Sequence, residues 1–150
     1  MPKKNQNKNY GNVIYFTLFV VILDQLTKIL IRENLQLYES IPLIKNFLSI
    51  SYVTNAGAGF SILQNFNTGL IFISLFVLGL ILFYWDSIKK SEKPSFELII
   101  GGLIGNLIDR LAYGSVIDFI DFSFWPTFNV ADSAICIGVV YIIYLSFKKN

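Results

Sequence analysis

The sequence contains no histidine and only one cysteine, Cys136. A histidine-dependent catalytic triad, a zinc site of cysteines and histidines, and a disulfide framework are therefore excluded. Cys136 lies inside an apolar run, where a lone cysteine usually behaves as a small buried hydrophobic residue. Any acid–base or nucleophilic chemistry must therefore use other side chains.

Charged residues are also scarce, because Asp, Glu, Lys and Arg make up 15% of the 150 residues while 54% are hydrophobic. Soluble domains usually contain about 25% charged residues, so the composition indicates an integral membrane protein. Four apolar runs approach the ~20 residues that a helix needs to cross a bilayer. The predicted spans are 13–31, 68–85, 96–113 and 128–147. With no repeat or linker between them, we expect one domain over residues 1–150.

The distribution of lysines predicts the topology. Most of them lie in the amino-terminal tail, the loop after the second span and the carboxyl terminus: Lys3, Lys4, Lys8, Lys89, Lys90, Lys93, Lys148 and Lys149. Four spans place these segments on one side of the membrane, and the positive-inside rule makes that side cytoplasmic. We therefore expect both termini in the cytoplasm and the connectors 32–67 and 114–127 on the outer face.

The two outer connectors differ in pattern. FLSISYVT (Phe47–Thr54) alternates in side-chain character and predicts a short strand at the membrane surface. NAGAGFS (Asn55–Ser61) follows it, and such a glycine-rich segment is usually only a turn. The segment 114–127 is an aromatic connector of the kind that suits an interface. The third span contains GGLIG, in which Gly101 and Gly105 form a GxxxG pair typical of close helix packing.

Polar residues concentrate at the outward ends of the third and fourth spans and in the connector between them. They are Asn106, Asp109, Arg110, Asp118, Asp121, Asn129 and Asp132. A charged group at the bilayer centre costs ~2.5–3.5 kcal/mol, so we expect this cluster to be functional. We interpret Asp109–Arg110 as local ion pairing or docking at the helix end. Asp24 and Lys28 can pair at four-residue spacing, which either makes insertion tolerable or positions a site.

Three routes to amide hydrolysis remain open to these residues. Two close carboxylates cannot both ionise comfortably, so one keeps a proton and the other can activate water. Asp118 and Asp132 fit this arrangement if the connector folds back. A Ser–Lys dyad using Lys28 or Lys45 and an oxygen-ligated metal are the alternatives. A small transporter or channel subunit is also open, although such proteins more often carry ionisable residues near the midplane.

Four sequence blocks carry a resemblance to a known family. DQLTK (Asp24–Lys28), NAGAGFS, GGLIGNLIDRLAYGSVIDFIDF (Gly101–Phe122) and FNVADSAI (Phe128–Ile135) resemble the lipoprotein signal peptidases, the type II signal peptidases of bacteria. The blocks span nearly the whole chain in the right order, and GNLIDR followed by VIDF and NVAD is the most specific part. One departure is Gly59, where the glycine turn usually has alanine.

The resemblance implies an all-α membrane protein of four spans with an outward-facing β-cradle and a surface helix, in the bacterial cell membrane. It implies an aspartic endopeptidase that removes the signal peptide of a prolipoprotein just before a diacylglyceryl-modified cysteine. Its partners would be that substrate, membrane lipid and globomycin-type inhibitors, with no metal, other cofactor or nucleic acid.

The resemblance also assigns residues to the site, which would face the outer side of the membrane. It implies that Asp118 and Asp132 are the catalytic aspartates. The residues that match supporting or substrate-lining positions are Asp24, Lys28, Asn55, Gly57, Asn106, Asp109, Arg110, Asn129 and Ala131.

Overall fold

The structure is a computed structural model that describes residues 13–57 and 66–148. The described part is mostly helical, with a small antiparallel sheet. In chain order its elements are α1 (Val13–Asn34), β1 (Ser40–Ile44), β2 (Leu48–Asn55), α2 (Asn67–Phe83), a short 3-10 helix (Trp85–Ser87), α3 (Lys93–Tyr113), β3 (Val116–Phe122) and α4 (Val130–Phe147).

Each predicted span corresponds to one helix, but the ends differ. α3 begins at Lys93, earlier than predicted, and has a proline in its first turn, where the missing N–H costs nothing. α4 begins at Val130 because Asn129 caps it: the Asn129 side chain accepts from the Asp132 N–H, and the Asp132 carboxylate accepts from the Asn129 N–H. This reciprocal capping box fixes where the helix starts.

The sheet has the strand order β1-β2-β3, and both pairs are antiparallel. β2 confirms the strand predicted at Phe47–Thr54, whereas β1 and β3 were not predicted. The segment 114–127 is not merely a connector, because its first half forms β3. A register irregularity in β2 between Ile50 and Val53 lies next to the Val53–Asp118 pair. Such bulges bend a strand and are common beside active sites.

α3 is the central helix and packs against α1, α2 and α4. Glycines permit the close approach: a Cβ on Gly101 would lie 2.8 Å from Cβ of Val20 on α1, and one on Gly102 would collide with the Ala131 carbonyl on α4. The interpretation of GGLIG as a close-packing segment is confirmed. α3 ends at Gly114, whose φ of 74° turns the chain into β3.

Only α4, among the helices of the described residues, is long and apolar enough to qualify as a membrane span, and α2 is apolar but shorter. Both α1 and α3 contain several charged residues. No helix lies between β2 and α2 within the described residues. Residues 58–65, which join them and include Gly59 of the glycine turn, lie outside that part, and the surface helix stays a prediction.

Cys136 is exposed, so the prediction that it is buried is wrong. The buried residues of α4, Ala131, Ala134 and Gly138, recur at helical spacing on the face that packs against the protein. Cys136 lies off that face.

Candidate active site

Asp118 and Asp132 line the same cavity, which has a volume of about 410 Å³. β3 supplies Asp118, and the first turn of α4 supplies Asp132. Asn106 and Arg110, one turn apart on α3, also line the cavity. The fold therefore brings together two carboxylates that are separated by a strand end and a loop in the sequence.

Asp118 is only 3% exposed and is held at both oxygens. Its Oδ2 accepts from Nδ2 of Asn55 at 3.0 Å, and its Oδ1 accepts from Nδ2 of Asn129 at 2.7 Å. Burial raises the pKa of Asp118 to about 7, and the charge of Asp132 adds to the rise, although the two amide donors oppose it. Asp118 can therefore keep a proton near neutral pH.

Asp132 is held by Asn106 and Asn129, of which only Asn129 also bonds to Asp118. Its Oδ1 accepts from Nδ2 of Asn106 at 2.7 Å, and its Oδ2 accepts from the backbone N–H of Asn129. Nδ2 of Asn129 also donates to Oδ1 of Asn106 at 3.1 Å, which joins the two amides. Each aspartate is thus fixed relative to the other through uncharged hydrogen-bond donors.

A buried ion-pair cluster lies behind these amides. Nζ of Lys28 is 2.7 Å from Oδ2 of Asp24 and 2.9 Å from Oδ2 of Asp109, and it donates to Oδ1 of Asn106 at 3.1 Å. The predicted Asp24–Lys28 pair is confirmed. The interpretation of Asp109 with Arg110 as a local pair is wrong, because the cation paired with Asp109 is Lys28 on another helix.

The cluster also ties down backbone on both sides of the site. Oδ1 of Asp24 accepts from the N–H of the fully buried Ala131, at the start of α4. Oδ2 of Asp109 accepts from the N–H of Ile117, the residue before Asp118. Gly105 leaves room for this arrangement, since a Cβ there would lie 2.6 Å from Oδ2 of Asp24. The ion pairs therefore connect α1 to both elements that carry an aspartate.

This geometry agrees with comparisons of the whole chain. Residues 16–148 match the sequence profile of the family described as signal peptidase (SPase) II. The chain belongs to the signal peptidase II family. Its members are peptidases, so the transporter and channel alternatives do not apply.

Relatives named lipoprotein signal peptidase support this membership across nearly the whole chain. The chain is 41% identical to the protein of Halothermothrix orenii over 140 residues, which cover 92% of this chain and 97% of the relative. It is 45% identical to that of Caldanaerobacter subterraneus subsp. tengcongensis over 142 residues, 91% and 97% of the two chains.

Two solved structures of bacterial membrane enzymes share the fold. The first, determined by the in meso method at 2.3 Å resolution, has a TM-score of 0.87 and 33% identity, and the alignment covers 93% of this chain and 90% of the other. The second, determined at 1.9 Å resolution, has a TM-score of 0.82 and 34% identity over 95% and 96%. This member of the signal peptidase II family is therefore a bacterial membrane protein, and it has the fold of two bacterial membrane enzymes.

The remaining residues predicted for the signal peptidase II site lie at the cavity. Asn55 and Gly57 line it, and the N–H of Gly57 donates to Oδ1 of Asn55 at 3.0 Å, which turns the Asn55 amide nitrogen toward Asp118. Nε of Arg110 is buried and has no hydrogen-bond partner among the described residues. Asp121 lies elsewhere: its carboxylate accepts from the Ser51 hydroxyl at 2.8 Å.

Sequence reasoning missed three polar residues of the candidate site: Thr127 and Ser133, which line the cavity, and Gln25, which contacts Asp109. Nε2 of Gln25 donates to Oδ1 of Asp109 at 3.0 Å and approaches the Gly105 carbonyl at 3.2 Å. The available signal was a carboxamide inside an apolar helix, next to Asp24 in the DQLTK block.

Proposed function

We propose that the protein is an aspartic endopeptidase that hydrolyses a prolipoprotein just before its diacylglyceryl-modified cysteine, with Asp118 and Asp132 activating a water molecule. The observation that carries this proposal is the shared cavity lined by both carboxylates, together with the linked amides that fix them. The Asn129 amide donates to Asp118 and to Asn106, and the Asn106 amide donates to Asp132. Membership of the signal peptidase II family supports the substrate class.

The two aspartates take different roles because their surroundings differ. Asp118, the more deeply buried, holds the proton and donates it to the carbonyl oxygen of the scissile bond. Asp132 accepts a proton from the attacking water and passes it to the leaving amine as the C–N bond breaks. In the same collapse Asp118 recovers its proton from the hydroxyl formed on the former carbonyl oxygen. Arg110 lines the same cavity, so its guanidinium can donate to a substrate carbonyl.

The Ser–Lys alternative has little support from the described contacts. The Lys28 ammonium is bonded to two carboxylates and a carboxamide oxygen, and no contact with a serine hydroxyl is seen in residues 13–57 and 66–148. Ser133 lines the cavity, but its hydroxyl donates to the Asn129 carbonyl. Lys45 is exposed between β1 and β2. A Ser–Lys dyad needs the two side chains within hydrogen-bond reach of each other.

The pH dependence of cleavage tests whether the aspartate pair holds a proton near neutral pH. Because the pKa of Asp118 is raised to about 7, its acid form is present below that pH and is lost above it. We expect kcat/KM to fall by about tenfold per pH unit above an alkaline limb near 7. An alkaline limb near the ordinary aspartate pKa of ~3.9 would contradict this assignment. The measurement is a rate profile on a substrate without titrating groups near the cleaved bond.

Activity in chelators tests the aspartate mechanism against the metal alternative. The described residues contain no group of three or more Asp, Glu, Cys or His side chains arranged to hold a metal ion. We expect full cleavage after dialysis against EDTA. Complete loss of activity that one divalent ion restores would mean that the aspartates act as ligands.

We further propose that all four helices span the membrane as one peptidase domain. α1 and α3 have 22 and 21 residues, so at ~1.5 Å per residue each exceeds the ~30 Å hydrocarbon core. Asp24 and Lys28 on α1 and Asp109 near the end of α3 are buried against each other, which removes the cost of exposing them to lipid. Large hydrophobic side chains point outward from each helix instead, among them Phe19, Leu26, Phe76, Leu111 and Ile143.

In this arrangement both termini are cytoplasmic, and the sheet and cavity face the outer side. Labelling with an impermeant thiol reagent tests this, in a Cys136→Ala background. We expect Gln36→Cys and Ser123→Cys to react from outside and Ser91→Cys not to react. All three side chains are exposed, so burial does not protect any of them. Labelling of Ser91→Cys in sealed cells would overturn the four-span topology.

The proposed activity is tested with purified protein and a diacylglyceryl-modified prolipoprotein. We expect release of the signal peptide, and we expect a globomycin-type cyclic peptide to inhibit it. The same prolipoprotein without its lipid is the matched control and should be cleaved poorly. Equal cleavage of both substrates would contradict the proposed specificity.

A further inference from the structure

The side-chain amide of Gln25 bridges α1 and α3 behind the aspartates. Its two hydrogens are shared among three acceptors: Oδ1 of Asp109 at 3.0 Å, the carbonyl of Gly105 at 3.2 Å and Oδ2 of Asp24 at 3.3 Å. Gln25 therefore contacts both carboxylates that flank the Lys28 ammonium. It does not line the cavity.

Asp109 connects Gln25 to β3, the strand that carries Asp118, because its carboxylate bonds to both. While Oδ1 of Asp109 accepts from Gln25, its Oδ2 accepts from the N–H of Ile117 at 3.2 Å and pairs with Lys28. The carbonyl of Ile117 in turn accepts from Nδ2 of Asn129 at 3.2 Å, the atom that also donates to Asp118. Rotation of the Asp109 carboxylate would move Oδ2, the atom that holds the N–H of Ile117 next to Asp118.

We infer that Gln25 is a positioning residue for hydrolysis: its amide fixes the rotation of the Asp109 carboxylate and thereby the placement of Asp118. Lys28 alone cannot fix that rotation, because an ammonium offers three equivalent donors and attracts a carboxylate without preference for orientation. The planar Gln25 amide donates to one oxygen of Asp109 along a defined direction and so fixes the rotation of the carboxylate. This inference rests on the proposed role of Asp118.

The test is the steady-state kinetics of Gln25→Met, which keeps the length of the side chain and removes the donor. Displacements near 1 Å can cost about a hundredfold in rate, and we expect a partial effect, a fall in kcat of about tenfold. KM should stay within about twofold, since Gln25 does not line the cavity that receives substrate. Thr27→Val is the matched control on α1, because the Thr27 hydroxyl bonds only to carbonyls of its own helix.

A double variant separates positioning through Asp109 from a general effect on packing. If Gln25 acts through Asp109, Gln25→Met with Asp109→Asn should be no slower than Asp109→Asn alone. Independent effects that multiply would overturn the inference, as would a Gln25→Met enzyme with the kcat of wild type. If Gln25→Met does not accumulate, Gln25→Asn, which keeps the amide but shortens its reach, should show the same fall in kcat.

Asp118→Asn, measured in the same assay, keeps the two proposals apart. Loss of activity there with normal kinetics in Gln25→Met overturns only the role of Gln25. Full activity in Asp118→Asn overturns the proposed mechanism and the inference with it.

Discussion

Asp118→Asn and Asp132→Asn should each reduce cleavage by about a thousandfold or more while the protein still inserts and accumulates. Asparagine keeps the size and polarity of the side chain, and its carbonyl oxygen can still accept one of the two hydrogen bonds that each carboxylate receives. It removes the proton that Asp118 donates and the charge with which Asp132 activates water. Because the two groups act on one reaction as a unit, the double variant should be no slower than either single variant. Initial rates on the lipid-modified prolipoprotein measure this.

Asp121→Asn is the control that the chain itself supplies. Asp121 lies three residues after Asp118 on β3, so the two side chains point to opposite faces of the strand. Its bond to the Ser51 hydroxyl needs only an acceptor, which asparagine retains. We expect substantial activity. An active Asp118→Asn, or an inactive Asp121→Asn beside it, would mean that the pair has been assigned wrongly.

Replacing the Asp24–Lys28 pair should produce a protein that inserts but cleaves about a hundredfold more slowly. In Asp24→Leu/Lys28→Met the cluster loses the ammonium that bonds Asn106 and Asp109, and through them the supports of both aspartates. Asp109 is left as a buried charge without its cation, which typically costs 3–5 kcal/mol and should lower the thermal unfolding temperature. Kinetics and thermal unfolding of the purified variant measure the two effects.

Lys45→Met is the matched control for that variant, because Lys45 is exposed and outside the cluster. Its activity should equal that of wild type. If Asp24→Leu/Lys28→Met also cleaves at the normal rate, the pair serves insertion alone. Loss of activity in Lys45→Met would instead return the Ser–Lys mechanism to consideration.

Hydrophobic length and local spacing predicted much of the architecture. The four helices follow the four apolar runs, and the Asp24–Lys28 pair follows from a spacing of four residues on a helix. β2 was visible because its side chains alternate. Each of these features depends on residues that are close in the sequence, so local patterns are enough to predict them.

Contacts between distant elements were not predictable in this way. β3 is not predicted from the sequence, because VIDF does not alternate between apolar and polar residues. The structure gives the reason: Val116–Phe119 is buried throughout and has no exposed side. The partner of Asp109 was assigned to its neighbour Arg110, whereas packing of α1 against α3 selects Lys28. The role of Gln25 was not predictable either, because its contact with the Asp109 carboxylate exists only when α1 packs against α3.

The most direct test of the mechanism is the mass of enzyme and products when the lipid-modified prolipoprotein is cleaved in water labelled with heavy oxygen and quenched early in acid. Direct attack by an aspartate-activated water predicts one heavy oxygen in the new carboxylate of the signal peptide. It also predicts a second product that begins at the modified cysteine, and an enzyme of unchanged mass. An enzyme that carries the mass of the signal peptide would contradict direct hydrolysis by Asp118 and Asp132. A product that begins at another residue would contradict the proposed cleavage position.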